Sequence, residues 1–251
     1  VREVECDKKR KEGKFLHVVG VSDMHGRHRA LGRVPDGDVL LCCGDMTETG
    51  TLEELDEVVR WLRTLPHKYK IVISGNHDLS MDVDYYASRG SRRWHGVETG
   101  EKDAKEARKM FTDGIIYLEN TGVSVKGIKF WGAPWVPYCG EMAFCLRRGS
   151  LLDSMWSLVP SQTNVLLTHG PPLCVGDYTY RKSYAGCYDL LRHVSLRIKP
   201  QYHFFGHIHE SRGCFNASCA PDTTFCNISN SPGPGKPRPL FPPTQISIPI
   251  K

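Results

Sequence analysis

Long hydrophobic runs are missing from this chain of 251 residues. No apolar stretch approaches the roughly 18–20 residues of a membrane-spanning helix, and the first residues lack the apolar core of a signal peptide. We therefore expect a cytoplasmic protein with no membrane partner. The composition, with 40% hydrophobic and 24% charged residues, is typical of a globular protein that folds around one well-buried core.

Cysteine pairs with the spacing of a metal site are also missing. The ten cysteines are scattered, no Cys-x-x-Cys pair occurs, and Cys42 and Cys43 lie inside an apolar run. A structural zinc site and a disulfide framework are therefore both disfavoured. Most of the cysteines are interpreted as buried free thiols.

The composition along the chain predicts one domain with two unusual segments. Residues 1–14 mix basic and acidic side chains and are interpreted as a charged N-terminal arm, while residues 15–251 form the domain. Within the domain, residues 230–243 contain six prolines and two glycines, which predicts a loop because proline interrupts strands and helices. The net charge of +5 favours anionic partners only weakly.

Strand-like and helix-like patterns alternate along the domain. Continuous apolar runs at 15–22, 39–43 and 71–74 predict strands that are buried on both faces. A capping box at Thr51-Leu52-Glu53-Glu54 followed by apolar residues at helical spacing predicts a helix between the second and third strands. Helices are also predicted at 101–111 and 186–198, and further strands at 123–125, 129–132, 165–168, 203–205 and 214–217, with an edge strand around Ile246, Ile248 and Ile250. This alternation implies a layered α/β architecture.

Five short polar fragments occur in a fixed order, and most of them follow one of the predicted strands. They are Asp23-Met24-His25, Gly44-Asp45, Gly75-Asn76-His77-Asp78, Thr168-His169-Gly170 and Gly206-His207-Ile208-His209. Each combines oxygen or imidazole ligands with a neighbouring glycine, or follows a strand directly. Strands that end at one edge of a sheet would bring these ligands together.

The ordered set resembles the calcineurin-like binuclear metallophosphoesterases over most of the chain, from Phe15 to Ser218. Thr168-His169-Gly170-Pro171-Pro172-Leu173 and Phe205-Gly206-His207-Ile208-His209-Glu210 are similar to the small metallophosphoesterase-domain-containing branch of cyclic-nucleotide phosphodiesterases. The resemblance implies a four-layer αββα sandwich with two mixed β-sheets, and metals at the strand ends.

The resemblance also implies the roles of the motif residues. One ion would be held by Asp23, His25, Asp45 and His209, and a second by Asp45, Asn76, His169 and His207. This set of oxygen and nitrogen donors suits two divalent ions, with manganese the first choice and iron, zinc, nickel and cobalt as alternatives. A hydroxide bridging the metals would attack phosphorus, and His77 would act as general acid with Asp78 holding its ring.

Five residues outside the ligand set are candidates for substrate contacts. Arg27 and His28 follow the first motif, Trp135 lies in a Gly-Ala-Pro-Trp-Val-Pro segment, and Tyr178 and Arg181 follow His169. Aromatic rings and cations of this kind hold nucleobases in other proteins. Simple packing is nevertheless the favoured interpretation of the aromatic residues, and a solvent-facing role fits Arg27 and His28 equally well.

Three functions are compatible with the motifs. The leading hypothesis is a phosphodiesterase for small cyclic nucleotides, with 2′,3′-cyclic favoured over 3′,5′-cyclic substrates and an RNA 2′,3′-cyclic phosphate end as a further substrate. A Ser/Thr protein phosphatase is disfavoured because Met46-Thr47 follows Gly44-Asp45 where those enzymes carry Arg-Gly. A catalytically silent scaffold is disfavoured because the ligands and His77 are all present. No obligate protein partner is inferred.

Overall fold

Fourteen β-strands form the framework of the protein in a computed structural model that describes residues 2–3, 15–98, 100–233 and 239–250. In chain order the strands are β1 (Arg2–Glu3), β2 (Phe15–Val21), β3 (Val39–Cys43), β4 (Tyr69–Ile73), β5 (Ile116–Tyr117), β6 (Thr121–Val125), β7 (Ile128–Ala133), β8 (Val136–Pro137), β9 (Cys145–Leu146), β10 (Val165–Thr168), β11 (Tyr202–Phe205), β12 (Gly213–Ala217), β13 (Ala220–Asn227) and β14 (Thr244–Pro249).

The strands are arranged in two large mixed sheets and one small one. The larger sheet has the order β1-β12-β13-β11-β10-β7-β6, the second has the order β14-β2-β3-β4-β5, and β8 pairs with β9. In the second sheet β2, β3, β4 and β5 run parallel, and in the larger sheet β7, β10, β11 and β13 run parallel. The carboxyl ends of neighbouring parallel strands therefore lie along one edge of each sheet.

Helices cover the outer faces of the two large sheets. They are α1 (Leu52–Thr64), α2 (Val83–Tyr85), α3 (Glu101–Met110), α4 (Ser150–Ser157) and α5 (Tyr188–His193). A π-helix at Tyr86–His95 continues α2, and another at Val194–Ile198 continues α5, while single 3₁₀ turns occur at His28–Leu31, Leu79–Met81 and His209–Ser211. Within the described ranges, none of these helices has the length and apolar character needed to cross a bilayer.

The alternation of side chains along each central strand divides the core into layers. In β3, Val39, Leu41 and Cys43 pack in the layer between the sheets, whereas Leu40 and Cys42 pack in the layer that contains α1. On the other side, residues of β10 and β11 pack outward against α4 and α5. This confirms the four-layer αββα sandwich, and it explains why these strands are apolar without interruption.

The capping box forms as predicted. The Thr51 hydroxyl accepts a hydrogen bond from the Glu54 amide at 3.2 Å, and the Glu54 carboxylate accepts one from the Thr51 amide at 3.1 Å. Replacing such an N-cap by alanine typically costs about 1 kcal/mol. The start of α1, and with it the connection from β3 to β4, is therefore specified locally.

Several elements were not predicted from the sequence. The longest strand, β13, contains Pro221 and Asp222, which disfavour strands, and the helices at 83–95 and 150–157 were also missed. β14 does lie at the edge of its sheet, paired with β2. The predicted N-terminal arm falls outside the described residues except for β1, which pairs with β12, and the described parts of the loop at 230–243 contain neither helix nor strand.

Candidate metal centre

The candidate ligands lie where parallel strands of the two large sheets end. Asp23, Asp45 and Asn76 follow β2, β3 and β4 in the five-stranded sheet, and His169 and His207 follow β10 and β11 in the seven-stranded sheet. Contacts from one set to the other connect the two sheet edges. The amide of His207, for example, donates to both carboxylate oxygens of Asp23, at 2.9 and 3.1 Å.

Four of the predicted ligands converge on one point. Single ligand atoms of Asp23, His25, Asp45 and His209 all lie within 4.8 Å of one another. His209 Nε2 is 3.3 Å from Asp23 Oδ1 and 3.3 Å from His25 Nε2, and His25 Nε2 is 3.8 Å from Asp45 Oδ2. Two imidazole nitrogens that face each other between two carboxylates form a cage of the kind that binds a divalent cation.

The second predicted set also comes together. Ligand atoms of Asp45, His169 and His207 lie within 4.8 Å of one another. The Nδ1 of His169 is 2.7 Å from the carbonyl of Cys43, so this nitrogen carries a hydrogen and donates it. In the neutral ring the Nε2 lone pair then points at Asp45 Oδ1, 3.2 Å away, and Asn76 Oδ1, 3.0 Å away. The lone pairs of one nitrogen and two oxygens therefore face one another, and a cation placed between them would bind all three atoms.

Burial and charge favour the same conclusion. Asp23 is 0% and Asp45 2% exposed, and no lysine or arginine in the described residues pairs with either of them. Burial alone would raise the pKa of Asp23, but the hydrogen bond from His209 lowers it to about 2; the positive charge of His169 likewise holds the pKa of Asp45 below its usual range. Two buried anions of this kind are normally paired or bound to metal.

The imidazoles differ in their affinity for protons. Burial lowers the pKa of His207 to about 3, which leaves a neutral ring whose lone pair is free for a metal. Burial would also lower the pKa of His169, but the adjacent Asp45 raises it to about 10. A cation between Asp45 and His169 would take the place of that proton.

Strained backbone conformations hold the ligands in place. Asp23, His25, Asp45 and His207 have φ angles of 56°, 45°, 48° and 66°, in the left-handed region that residues other than glycine rarely adopt. Each such residue costs on the order of 1 kcal/mol. The strain is maintained by contacts such as the hydrogen bond from the His77 amide to Asp45 Oδ1 at 2.8 Å.

Close packing explains why two of the motifs need their glycines. A Cβ atom on Gly75 would overlap the carboxylate of Asp45 and the ring of His169, and one on Gly206 would overlap the carboxylate of Asp23. These are steric requirements of the ligands themselves. The glycines therefore allow the backbone to lie directly beneath the site.

The structure corrects the predicted partner of His77. The Nδ1 of His77 is 2.7 Å from the backbone carbonyl of Glu48, and the ring lies edge-on to that of His25 with 4.5 Å between centroids. Asp78 does not hold this ring, because its carboxylate accepts hydrogen bonds from the amide and hydroxyl of Thr47, at 3.0 and 2.7 Å, and from the Gly75 amide at 2.8 Å. Asp78 thus connects the loops that follow β3 and β4.

The charges around His77 favour the protonated ring that a general acid needs. Burial lowers the pKa of His77, but the charge of Asp45, the hydrogen bond to the Glu48 carbonyl and the charge of Asp78 together raise it above its ordinary value. The predicted influence of Asp78 on the proton affinity of His77 therefore acts through space. With Nδ1–H donated to Glu48, the other ring nitrogen is the one that can deliver a proton.

Two residues near the site were missed by the sequence analysis. The Glu48 carboxylate lies 3.5 Å from His25 Nδ1 and forms a third group of metal-ligand type with His25 and His77. Its position three residues after Asp45 is the signal that would have found it. The thioether of Met142 accepts a hydrogen bond from Asn76 Nδ2 at 3.3 Å. No motif marks Met142, because the loop that carries it is distant in sequence.

Two of the predicted substrate contacts have other roles. His28 is 2% exposed, and its ring packs 5.2 Å from that of Trp61 on α1, so it faces the core and not the metal centre. Trp135 donates to Asn120 Oδ1 at 2.9 Å and packs edge-on against Phe144. Trp135 therefore takes the packing role that the sequence analysis favoured.

The other three candidates are exposed. Arg27 lies in the loop after His25, and Arg181 lies in the segment after His169. Tyr178 is 46% exposed, its ring lies 5.2 Å from that of Tyr184, and its carbonyl accepts a hydrogen bond from the Ser211 hydroxyl. Tyr178 is thus tied to the segment that follows His209.

Two facing sheets whose strand ends assemble carboxylates and imidazoles around a shared aspartate define a metal-dependent phosphoesterase. The model of the family described as calcineurin-like phosphoesterase matches residues 16–211, and the chain belongs to that family of hydrolases, which use divalent metals. The described residues include groups of carboxylates and imidazoles whose spacing fits such ions.

Known relatives agree with this assignment. The chain is 35% identical over 241 residues to human metallophosphoesterase domain-containing protein 1, covering 94% of this chain and 72% of that one. It is 38% identical over 215 residues to a UPF0046 protein of Caenorhabditis elegans, covering 86% and 70%. These similarities place it in the metallophosphoesterase-domain-containing branch.

Solved structures share the fold at low sequence identity. The phosphopantetheinyl hydrolase of Mycobacterium tuberculosis aligns with a TM-score of 0.55 at 14% identity, covering 86% of this chain and 90% of that one. The protein TT1561 of Thermus thermophilus aligns with a TM-score of 0.51 at 12% identity, covering 86% and 90%. At this level of identity the likeness concerns the fold alone.

Proposed function

We propose that this protein is a binuclear metal-dependent phosphodiesterase that hydrolyses small cyclic nucleotides, with 2′,3′-cyclic preferred over 3′,5′-cyclic substrates. The observation that carries the proposal is the position of Asp45, which belongs to both groups of ligands. A shared carboxylate is what holds two cations close together. Manganese is our first choice of metal, with iron, zinc, nickel and cobalt compatible with the same oxygen and nitrogen donors.

The ions would supply an activated water and neutralise charge on the phosphoryl oxygens. Asp23, His25, Asp45 and His209 would hold one of them, and Asp45, Asn76, His169 and His207 the other. Buried carboxylates locked by backbone amides keep this arrangement ready before the substrate binds.

His77 would protonate the departing ribose oxygen. Its Nδ1 is engaged by the carbonyl of Glu48, which leaves Nε2–H as the acid, and although burial lowers the pKa of His77, the charge of Asp45 raises it above its ordinary value. A hydrogen bond from its own amide to Asp45 keeps the ring beside the ligands. These are the geometric and electrostatic requirements of a general acid.

The substrate class rests on ring strain and on the exposed residues near the site. A five-membered 2′,3′-cyclic phosphate is strained, so it is the easier of the two cyclic esters to open. Tyr178 and Arg181 provide an exposed ring and a cation on the segment that follows His169, and Arg27 provides a cation beside His25. A nucleobase and a phosphate fit such a combination, and an RNA 2′,3′-cyclic phosphate end offers the same groups.

A substrate panel tests the proposal. Purified protein loaded with manganese is assayed on 2′,3′- and 3′,5′-cyclic nucleotides, an RNA 2′,3′-cyclic phosphate end and phosphopeptides, with product identification and with Asp45→Asn as matched control. We expect nucleoside monophosphates, formed fastest from the 2′,3′-cyclic substrates. Faster release of phosphate from phosphopeptides would instead identify a protein phosphatase. Bound metal without hydrolysis of any diester would identify a scaffold.

A further inference from the structure

Two pairs of cysteines bring their sulfur atoms unusually close together. Among the nine cysteines of the described residues, the Sγ atoms of Cys139 and Cys145 are 3.1 Å apart, and so are those of Cys214 and Cys226. The pairs differ in access, because Cys139 is exposed and Cys145 half-buried, whereas Cys226 is buried. The first pair is therefore the one that a dissolved oxidant reaches from solvent.

The first pair closes the base of a short loop. β8 and β9 pair in parallel, Val136 with Cys145 and Pro137 with Leu146, and the loop between them carries Cys139 near its start. The loop is fastened at its far end, where the carbonyl of Glu141 accepts a hydrogen bond from Trp94 Nε1 at 3.1 Å. The amide of Phe144 also donates to Asp82 Oδ2 at 2.8 Å. A bond between the two sulfurs would close a small ring around this loop.

The same loop contacts a candidate metal ligand. Met142 lies between the two cysteines, and its sulfur accepts a hydrogen bond from the Asn76 amide nitrogen. This contact turns the Asn76 oxygen towards His169, at 3.0 Å. The position of the loop therefore sets the orientation of Asn76.

We propose that Cys139 and Cys145 are a site of reversible oxidation by peroxide, at which a disulfide forms and lowers the activity of the metal centre through Met142 and Asn76. The second half of this inference rests on the proposed function, in which Asn76 holds a metal ion. The first half, formation of the disulfide, does not.

The chemistry is balanced with hydrogen peroxide as the oxidant. The Cys145 thiolate attacks one peroxide oxygen, the O–O bond breaks, and the departing hydroxide takes up a proton to leave as water. The Cys139 sulfur then attacks Cys145 Sγ, the S–O bond of the sulfenic acid breaks, and a second water leaves with the Cys139 proton. Two thiols are oxidised while one peroxide is reduced to two waters. The hydrogen bond from Cys139 lowers the pKa of Cys145, which favours Cys145 as the attacking sulfur.

Closing the bond changes the geometry at both cysteines, and we expect the loop that carries Met142 to shift with them. A disulfide bond is about 2.05 Å long, so the sulfurs have to approach each other by about 1 Å. A displacement of about 1 Å close to the chemistry can lower a rate by about 100-fold. We expect oxidation to lower phosphodiesterase activity at least tenfold, and a thiol reductant to restore it.

The test uses the full chain with and without metal. Protein is treated with hydrogen peroxide and quenched with catalase, and non-reducing peptide mapping by mass spectrometry is combined with activity and metal content. We expect the mass of the peptides that contain Cys139 and Cys145 to fall by two hydrogen atoms, in both metal-loaded and metal-free protein. We expect the double variant Cys139→Ser, Cys145→Ser to keep its activity in peroxide, and the matched variant Cys214→Ser, Cys226→Ser to be inhibited like the original chain.

Each outcome decides part of the proposal. If Cys139 and Cys145 remain reduced while the exposed Cys174 is oxidised, the site is refuted. If the disulfide forms but activity and metal content stay constant, the coupling through Met142 is refuted. Inhibition of the Cys139→Ser, Cys145→Ser protein to the same extent would assign the effect to the metals or to methionine oxidation. A chain that forms the disulfide but hydrolyses no diester would refute the proposed function and leave the oxidation site standing.

Discussion

The two large sheets contribute different chemistry to the same centre. The five-stranded sheet supplies the oxygen ligands Asp23, Asp45 and Asn76, together with the loop imidazoles His25 and His77. The seven-stranded sheet supplies imidazoles only, on the loops after β10 and β11. Each of the two proposed ion positions takes ligands from both sheets, because His209 joins Asp23, His25 and Asp45 at one of them, and His169 and His207 join Asp45 and Asn76 at the other. The packing of the sandwich therefore creates the site.

The site has an oxygen half (Asp23, Asp45 and Asn76) and a nitrogen half (His169, His207 and His209), and different buried side chains hold the two halves in place. Under the oxygen half, the Asp78 carboxylate accepts hydrogen bonds from Thr47 and Gly75. Under the nitrogen half, the Thr168 hydroxyl donates to the carbonyl of Gly170 at 2.7 Å, so the Nε2–H of His203, 2.8 Å away, donates to the hydroxyl. The buried carboxyl group of Asp78 thus supports the oxygen half, and the buried neutral imidazole of His203 supports the nitrogen half.

Removing the shared carboxylate should have the largest effect. Asp45→Asn weakens both groups of ligands, and we expect loss of both ions and a fall in kcat/KM of roughly 10⁴-fold, since two-metal stabilisation supplies several kcal/mol. Metal stoichiometry by mass spectrometry and diesterase kinetics measure this. His207→Ala is the matched control from the nitrogen half, and it should retain one ion. Equal metal loss in both variants would contradict the shared role of Asp45.

Removing the acid should separate turnover from metal content. His77→Ala should lower kcat by about 10²- to 10⁴-fold, the usual range for loss of a general acid. Both ions should remain, because His77 completes neither of the two proposed coordination spheres. If the ions leave together with the activity, His77 is a ligand and not an acid.

The parts of the site that were predictable depend on local sequence. Asp23 and Asp45 follow continuous apolar strands, and parallel strands end at one edge, so the grouping follows from pattern and topology together. The capping box of α1 is local in the same way. β13 was missed because Pro221 and Asp222 lie in it, and only pairing with β11 and β12 shows it to be a strand.

The orientation of neighbouring side chains was not predictable. His77 and Asp78 are adjacent, yet the ring is bound by Glu48 and the carboxylate by Thr47, because the backbone of the loop directs them apart. His25 and His28 are three residues apart, and a turn sends one to the metal centre and the other into the core. Such differences depend on φ angles and on contacts between distant segments, which no short motif encodes.

Lowering the pH should reduce the folding stability of the protein through His203, which supports the nitrogen half of the site. Burial lowers the pKa of His203 to about 3, so below its ordinary value of 6.5 the unfolded chain binds a proton that the folded protein refuses. Stability therefore falls as the pH drops from 6.5 towards 3, by about 2 kcal/mol at pH 5. Urea unfolding of metal-free protein at pH 8 and pH 5 measures this. His203→Gln keeps a donor for Thr168 but cannot titrate, and it should show a pH dependence smaller by that amount; an unchanged dependence would refute the assignment.

The smallest effect is expected from Tyr178, an exposed residue that belongs to neither set of ligands. Tyr178→Ala should raise KM for cyclic nucleotides by about tenfold and leave kcat nearly unchanged, since loss of one stacked base typically costs 1–3 kcal/mol of binding. The matched control is Tyr188→Ala at the start of α5, which is 59% exposed and should leave KM unchanged. Steady-state kinetics on a 2′,3′-cyclic nucleotide provide both constants. A fall in kcat with Tyr178→Ala would mean that the ring acts on the metal centre, and equal KM values for the two variants would mean that the base binds elsewhere.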